Sequence, residues 1–243
     1  MTDLRADEGT RVVVLTGAGL SKASGIPTFR DADGLWEGYD VTEVATPEAW
    51  ERDPQTVRRF YDERRINCAS VLPNPAHFAL SRLQHAVGVK RCTLITQNID
   101  GLLQKASAND VIEMHGSLFR LRCESDLDHP RVGVFGPQNP AQTCKLCGSA
   151  MRPDVVWFGE IPYDMDRIEK AVVSCDLFLS IGTSGLVYPA AGLSALARAH
   201  GARTIEINPA PSGGDFDEIV EDTAEAAVPR FVGRWLDEDE DDD

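Results

Sequence analysis

The stretch from Gly17 to Asp31 lies one residue after the apolar, β-branched run Val12–Leu15, and this order strongly constrains the local secondary structure. An apolar run that ends in glycines and serines predicts a strand, a tight turn and the start of a helix. Glycine lets the backbone approach a ligand closely, and a helix N-terminus offers free N–H groups and partial positive charge. The stretch therefore indicates a pyrophosphate site. However, Lys22 stands where the dinucleotide fingerprint has its third glycine, and a plain turn made by Gly17 and Gly19 explains the same residues.

Short apolar runs alternate with helical patterns along the chain. The expected strands are Val12–Leu15, Cys92–Thr96, Val111–Met114, Leu177–Ile181 and Thr204–Ile207. The expected helices include Pro75–Gln84, Arg167–Ser174 and Ala190–His200. This alternation predicts an α/β fold, in which a parallel sheet carries helices on both faces.

Two regions interrupt this alternation. Residues 40–75 are rich in arginine, glutamate and aromatic residues and indicate helices, one of which starts at Thr46-Pro47-Glu48. Residues 119–154 hold three cysteines and four prolines and indicate a small, irregular inserted module. We therefore expect a sheet domain made of 11–38, 76–118 and 155–235 and a small domain made of 39–75 and 119–154. The segment 236–243 ends in seven acidic residues and predicts a disordered, solvated tail.

The balance of charge excludes some partners. The net charge is −15, from 39 acidic and 24 basic residues, which disfavours binding to nucleic-acid phosphates. No apolar run approaches the roughly 18 residues of a membrane helix, and the first ten residues hold no secretory signal. We expect a cytoplasmic protein without membrane or direct nucleic-acid contact. Its six cysteines then predict a metal site or buried thiols rather than disulfides. The oligomeric state stays open.

Polar side chains follow the expected strand Cys92–Thr96. Asn98 and Asp100 alternate in an extended segment and could face one ligand, where Asp100 would accept from an amide and Asn98 would orient a hydroxyl or a water. An Asx turn that caps the next helix explains the pair about as well.

Other strand ends carry similar groups. His115 is the one histidine of five at a strand end with a glycine after it, and its ordinary pKa suits a general base near neutrality. A structural histidine is the alternative. Gly182–Ser184 and Asn208–Pro209 follow two further strands. Together these junctions predict a groove along the carboxyl edge of the sheet, long enough for a dinucleotide.

Three cysteines suggest a structural metal. Cys144 and Cys147 form a C-x-x-C knuckle, and Cys123 lies about twenty residues earlier. A structural zinc site has four ligands, usually from two such pairs, but the position three after Cys123 is an aspartate. The fourth ligand could be Asp126, Asp128 or His129, and a degenerate, metal-free cluster is the other possibility.

The ordered set of motifs resembles the sirtuin family. The set comprises Gly17-Ala18-Gly19-x-Ser21, Gly25-Ile26-Pro27-x-Phe29-Arg30, Thr96–Leu102, His115-Gly116, the cysteine module, Pro153–Glu160 and Gly182–Ser184, and the resemblance runs from about residue 11 to 232. It implies a Rossmann-like large domain with a small helical and zinc-ribbon-like domain. It also implies NAD-dependent removal of acyl groups from protein lysines, with NAD consumed and nicotinamide, O-acyl-ADP-ribose and free lysine as products.

The resemblance also implies roles for individual residues. His115 would be the base, with Asn98 and Asp100 as its catalytic companions. The NAD-binding residues would be Gly17, Ala18, Gly19, Ser21, Phe29, Arg30, Trp36, Gln97, Asn98, Ile99, Asp100, Gly182, Thr183, Ser184, Asn208, Pro209, Ala210 and Ala224. The peptide would pair as a strand with segments that include Val156, Phe158, Gly159, Gly185 and Val187. Structural zinc would lie on Cys123, Cys144 and Cys147.

One pair of residues refines the expected substrate. Tyr61 and Arg64 lie three positions apart and share a face if the segment is helical. A buried guanidinium beside a tyrosine hydroxyl suits a carboxylate, and the pair resembles the Tyr-x-x-Arg of sirtuins that remove succinyl and malonyl groups. An exposed helix whose arginines pair with Asp62 and Glu63 is the alternative.

Two other functions fit the same residues. An NAD-dependent mono-ADP-ribosyltransferase would use the same fold and cofactor. A non-enzymatic NAD-sensing scaffold would use its acidic surface to recruit basic proteins, but the set of His115, Asn98 and Asp100 argues against it.

Overall fold

The computed structural model describes residues 9–27, 35–36 and 39–236, with helices and strands in alternation. The strands are β1 (Val12–Thr16), β2 (Leu35–Trp36), β3 (Tyr39–Asp40), β4 (Cys92–Thr96), β5 (Ile112–Glu113), β6 (Gly116–Cys123), β7 (Val132–Gly133), β8 (Met151–Val155), β9 (Leu177–Ile181), β10 (Arg203–Ile207) and β11 (Glu218–Val220). The helices are α1 (Val41–Val44), α2 (Pro47–Arg52), α3 (Pro54–Ser70), α4 (Pro75–Val87), α5 (Leu102–Lys105), α6 (Met165–Val173), α7 (Leu193–Ala199) and α8 (Ala224–Trp235).

A six-stranded parallel sheet in the order β11-β10-β9-β1-β4-β5 forms the main layer. Its central strand β1 is buried along its whole length. Val12 and Val14 pack toward α4 and α8 on one face, while Val13 and Leu15 pack toward α6 and α7 on the other. Burial on both faces is typical of parallel strands between two layers of helices. The predicted α/β fold is confirmed, and all five expected strands lie in this sheet.

The turn after β1 differs from the prediction. Two short 3-10 helices, Ala18–Leu20 and Lys22–Ser24, replace the expected α-helix start. The reason is a tertiary contact, because the Gly17 N–H donates to Ile181 O at 3.0 Å and the Gly19 N–H donates to Gly182 O at 2.9 Å. These bonds tie the turn sideways to the end of β9.

The helices expected in residues 40–75 are α1, α2 and α3. Thr46 caps α2, because its hydroxyl oxygen accepts from the Ala49 N–H at 3.1 Å and Pro47 opens the helix. The helices pack around a separate apolar cluster that includes Phe60, Tyr61 and Trp157.

The cysteine module is more regular than expected. It is built on a three-stranded antiparallel sheet in the order β7-β6-β8. Because β6 already begins at Gly116, this sheet starts just before the expected boundary at 118, and the domain division stays a prediction. The acidic residues 237–243 lie outside the described part of the chain. Within the described residues, no helix is both long and apolar enough to cross a lipid bilayer.

Candidate active site

The carboxyl edge of the parallel sheet gathers the predicted site residues. Because β1, β4, β5, β9 and β10 run parallel, the turns that follow them lie along one edge. These turns carry Gly17 to Ser21, Gln97 to Asp100, His115, Gly182 to Ser184, and Asn208 to Ala210. Phe29 and Arg30 lie outside the described residues. For Trp36 the structure describes the backbone, in β2.

Two of these turns pack backbone against backbone. A Cβ atom built on Gly19 would lie 2.6 Å from the Gly182 Cα atom, and one on Gly17 would lie 2.8 Å from Gly182 O. Contacts of that length are not available to any side chain, so glycine is required here. The close approach lies between the two turns, a reason for glycine that the sequence pattern alone does not give.

Ser21 links the first turn to the segment after β4. Its hydroxyl donates to Asp100 Oδ2 at 2.7 Å and accepts from Asn98 Nδ2 at 3.1 Å. Asn98 also donates to Gly17 O at 3.0 Å. The other oxygen of Asp100 accepts from the Leu102 N–H at 2.9 Å, which is the Asx turn considered above. Asp100 therefore binds the first N–H of α5 and, through Ser21, also holds the glycine turn.

His77 completes this network and was not singled out by sequence reasoning. It is fully buried at the start of α4, and its Nδ1 accepts from the Asn74 N–H at 3.2 Å. Nε2 therefore carries the proton and donates to Ser21 Oγ at 3.4 Å. Burial lowers the pKa of His77 to about 4, so the ring stays neutral. Its sequence position, three residues after the Asn74 cap, was the available clue.

His115 lies in the turn between β5 and β6 and is half-buried. Its Nδ1 lies 3.1 Å from Gln97 O. Because a carbonyl oxygen only accepts, Nδ1 carries the proton and Nε2 keeps a lone pair. Burial lowers the pKa of His115 more than the bond to Gln97 raises it. The neutral ring can therefore accept a proton at Nε2 at neutral pH.

A buried carboxylate fixes the backbone beside His115. Asp154 in β8 is fully buried and accepts from Arg120 Nε at 2.9 Å, Arg131 Nε at 3.1 Å and the Tyr163 hydroxyl at 3.0 Å. The Val156 N–H, two residues on, donates to His115 O at 2.9 Å. These bonds hold the end of β8 against the histidine turn.

The turns after β9 and β10 meet through side-chain bonds. Asn208 and Thr183 are buried, and Asn208 Nδ2 donates to Thr183 O at 2.7 Å. Gly182 and Ser184 are half-buried beside them. Pro209 and Ala210 are exposed, and Ala224 is buried at the start of α8. The structure thus gathers the residues assigned to the adenosine half of NAD on the β9 and β10 side of the edge.

Two exposed segments approach the edge from different elements. Val156, Phe158 and Gly159 follow β8, and Phe158 is 45% exposed. Gly185 and Val187 follow the β9 turn. The exposure of Phe158, Gly159 and Val187 is compatible with the predicted pairing to an extended peptide, which stays a prediction.

Tyr61 and Arg64 lie on the buried face of α3. Their exposed fractions are 0% and 5%, which rules out the exposed helix considered above. Arg64 Nη1 donates to Phe60 O at 3.0 Å, and the guanidinium lies 3.3 Å over the Phe60 ring. Asp62 instead forms its ion pair with Arg65. A guanidinium and a phenol therefore both lie on the buried face of α3.

Four side chains converge in the cysteine module. The ligand atoms of Cys123, His129, Cys144 and Cys147 all lie within 4.8 Å of one another. The Cys123 and Cys147 sulfur atoms are 3.5 Å apart, near the roughly 3.8 Å that tetrahedral ligands of zinc would have. His129 directs Nδ1 to Cys144 Sγ at 3.3 Å. Among the three candidates for the fourth ligand, the structure selects His129.

The surroundings of the cluster fit zinc chemistry. His129 Nε2 lies 3.3 Å from Asp126, so that carboxylate orients the ring rather than binding the metal. The Ser149 hydroxyl and backbone lower the pKa of Cys147 to about 6, which favours the thiolate that zinc requires. The donor set therefore fits a structural zinc with three cysteines and one histidine.

The fold is thus a parallel sheet flanked by helices, with a histidine at the carboxyl edge of the sheet and a second, antiparallel sheet that carries a candidate zinc site. The model of the Sir2 family matches residues 17–189. A relative from Escherichia coli, described as an NAD-dependent protein deacylase, is 48% identical over 237 residues, covering 95% of this chain and 86% of its own. The chain belongs to the Sir2 family.

Solved structures of Sir2 proteins are similar to this chain over most of its length. A Sir2 homolog–NAD complex superimposes with a TM-score of 0.84 at 36% identity, covering 95% of this chain and 91% of its own. A second structure, of Sir2 with an inhibitor, 2′-O-acetyl-ADP-ribose and a deacetylated p53 peptide, superimposes with a TM-score of 0.73 at 27% identity, covering 90% and 91%.

Proposed function

We propose that the chain is an NAD-dependent protein-lysine deacylase. The observation that carries this assignment is the neutral His115, whose Nδ1–H is bound by Gln97 O so that Nε2 is left as the base. The family, the deacylase relative and the NAD complex of a structural neighbour support the same activity.

The strand-end turns would hold NAD along the carboxyl edge. The turn Gly17 to Ser21 and the segment Gln97 to Asp100 would hold the nicotinamide half, and Gly182 to Ser184 with Asn208 would hold the adenosine half. Bound NAD supplies a ribose carbon from which nicotinamide can leave, so that the acyl oxygen of a modified lysine can bond there. The hydrogen bonds of Ser21 to Asn98 and Asp100 keep the first two segments in register with each other.

His115 would take a proton at Nε2 from a ribose hydroxyl of the bound co-substrate. Its Nδ1–H bond to Gln97 fixes the tautomer, and the Val156 N–H fixes the backbone of the histidine turn. Both bonds place the ring without changing its charge. This is the arrangement expected of a general base that works near neutral pH.

The substrates we propose are acylated lysines, among them succinyl- and malonyl-lysine. Arg64 would pair with the acyl carboxylate and Tyr61 would donate a hydrogen bond to it, since both are buried on one face of α3. Val156, Phe158 and Gly159 would pair with the backbone of the peptide on one side, and Gly185 and Val187 on the other. The cytoplasm is the compartment we propose, because none of the six cysteines, all of which lie within the described residues, forms a disulfide.

Zinc would be held by Cys123, His129, Cys144 and Cys147 and would stabilise the module without taking part in the chemistry. Cys123 ends β6 of the antiparallel sheet and the other three residues lie in the connections between its strands, whereas His115 lies at the edge of the parallel sheet.

The activity is tested by incubating the protein with NAD and acetyl-, malonyl- and succinyl-lysine peptides, followed by mass spectrometry. We expect loss of the acyl mass, with one nicotinamide and one O-acyl-ADP-ribose per lysine released. A gain of ADP-ribose on protein would instead indicate a transferase, and no turnover of NAD would indicate a scaffold. Either result overturns the proposal. Reactions without NAD serve as controls.

The acyl class is tested with Arg64→Met. Loss of a charged hydrogen bond should lower kcat/KM for succinyl-lysine by about 10- to 100-fold. The deacetylation rate should change by less than about threefold, because an acetyl group offers no carboxylate. Arg59→Met, on the exposed face of the same helix, is the matched control. Equal losses on both substrates would contradict the assignment.

A further inference from the structure

Trp157 makes a directed contact with Tyr61, which together with Arg64 is proposed above to bind the acyl carboxylate. Its indole Nε1 donates a hydrogen bond of 3.0 Å to the Tyr61 hydroxyl oxygen, and both side chains are buried. An indole N–H can only donate, so the tyrosine oxygen is the acceptor in this bond. The hydroxyl hydrogen of Tyr61 must therefore point away from Trp157.

The indole is itself held in a fixed orientation. The Arg152 guanidinium carbon lies 3.2 Å from the centroid of the ring. Arg152 forms two hydrogen bonds of 2.8 Å to Glu160, and one Glu160 oxygen also accepts from the Trp157 backbone N–H at 2.8 Å. One carboxylate thus fixes both the backbone of Trp157 and the cation on its ring. The Nε1–H is aimed by this clamp, made of Arg152 and Glu160.

We propose that Trp157 is a specificity-determining positioning residue for acidic acyl groups. By accepting the indole N–H, the Tyr61 oxygen presents its own hydrogen, rather than a lone pair, to the acyl carboxylate beside Arg64. A lone pair turned toward a carboxylate would repel it, so the orientation of this hydroxyl matters for succinyl- and malonyl-lysine. An acetyl group has no carboxylate and does not depend on it. The inference rests on the proposed acyl class.

Trp157→Phe tests the inference, because it keeps a ring against Arg152 and removes only the N–H donor and part of the ring. We expect kcat/KM for succinyl-lysine to fall about 5- to 10-fold, mainly through KM. For acetyl-lysine the change should be less than about twofold. In a Tyr61→Phe background, which has no hydroxyl to orient, Trp157→Phe should cause no further selective loss of desuccinylation.

Equal losses on acetyl- and succinyl-lysine would overturn the inference, as would independent, multiplicative losses in the double variant. Should Trp157→Phe lower the melting temperature so far that it is unfolded in the assay, Glu160→Gln replaces it. That variant weakens the clamp while keeping its shape, and we expect a smaller loss that is again selective for succinyl-lysine. An unselective loss there would overturn the inference too.

Assays of the wild-type protein show whether a negative result concerns the proposed acyl class or only the role of Trp157. If it removes acetyl but neither succinyl nor malonyl groups, the proposed acyl class fails. If it removes succinyl groups and Trp157→Phe removes them equally well, the acyl class stands and only the role of Trp157 fails.

Discussion

His77 makes the stability of the folded chain depend on pH. The ring is fully buried and neutral, with Nδ1 accepting from Asn74 and Nε2 donating to Ser21. Its pKa is about 4 in the folded chain, against 6.5 for an ordinary histidine. Because the folded pKa is the lower one, the unfolded chain binds the proton more readily. The contribution of neutral His77 to the free energy of unfolding is therefore fully present above about pH 6.5 and is lost as the pH drops toward 4.

The magnitude follows from the separation of the two pKa values. Each pH unit between them is worth about 1.4 kcal/mol, so His77 should cost about 2 kcal/mol of stability between pH 7 and pH 5. The full loss is about 3 kcal/mol once the pH falls below the folded pKa. This is a large part of the stability of an ordinary domain.

The assay is urea unfolding at pH 7 and pH 5 for the wild type and for His77→Gln, which keeps a donor near Ser21 but does not titrate. Other ionisable groups contribute equally to both proteins and cancel in the difference. Between pH 7 and pH 5, the free energy of unfolding of the wild type should fall by about 2 kcal/mol more than that of His77→Gln. His85→Gln, at an exposed histidine, should behave as the wild type. Identical pH dependence in the wild type and His77→Gln would refute the reasoning.

Three further predictions concern the turn, the metal and the base. Gly19→Ala should destabilise the fold by about 1–3 kcal/mol and raise the KM for NAD, because the added Cβ atom would overlap Gly182. Gly9→Ala is the control for both measurements, because a Cβ atom there meets no other atom. Removal of zinc by a chelator, or His129→Ala, should expose residues 124–150 to proteolysis, whereas His200→Ala should not. The specificity constant kcat/KM should rise with pH to a plateau, with an apparent pKa below 6.5, because the pKa of His115 is lowered. A rise centred above pH 7 would contradict this prediction.

The metal prediction follows from the size of the core in that module. Its buried apolar cluster consists of four residues, Leu121, Cys123, Cys144 and Met151, and two of them are candidate ligands. So small a core cannot hold a fold by itself. Zinc content of one per chain, lost together with protease resistance, would support this account. An intact module after complete removal of metal would contradict it.

The elements predicted from the sequence were those with strong local patterns. Runs such as Leu177–Ile181 are apolar throughout, because parallel strands are buried on both faces. The strand β11 was missed because it has three residues and is only partly buried. The helix α8 was missed as well, and it contains Pro229, a residue that usually ends helices.

The site was harder to predict where it depends on contacts between distant residues. His77 gains its role from Ser21, 56 positions away, and Trp157 from Tyr61, 96 positions away. The short 3-10 helices after β1 arise from bonds to β9. The fourth candidate metal ligand, His129, lies six residues after Cys123. A C-x-x-C pair would place that ligand three residues after Cys123, where Asp126 stands. No local pattern encodes these contacts.

The central claim is that the Nε2 atom of one histidine is the base of an NAD-consuming deacylation. It is tested most directly by single-turnover assays of the wild type and His115→Ala, with saturating NAD and an acylated peptide. We expect the variant to keep its fold and its affinity for the peptide while formation of O-acyl-ADP-ribose falls by at least about 100-fold. Formation of that product at the wild-type rate in His115→Ala would contradict the account.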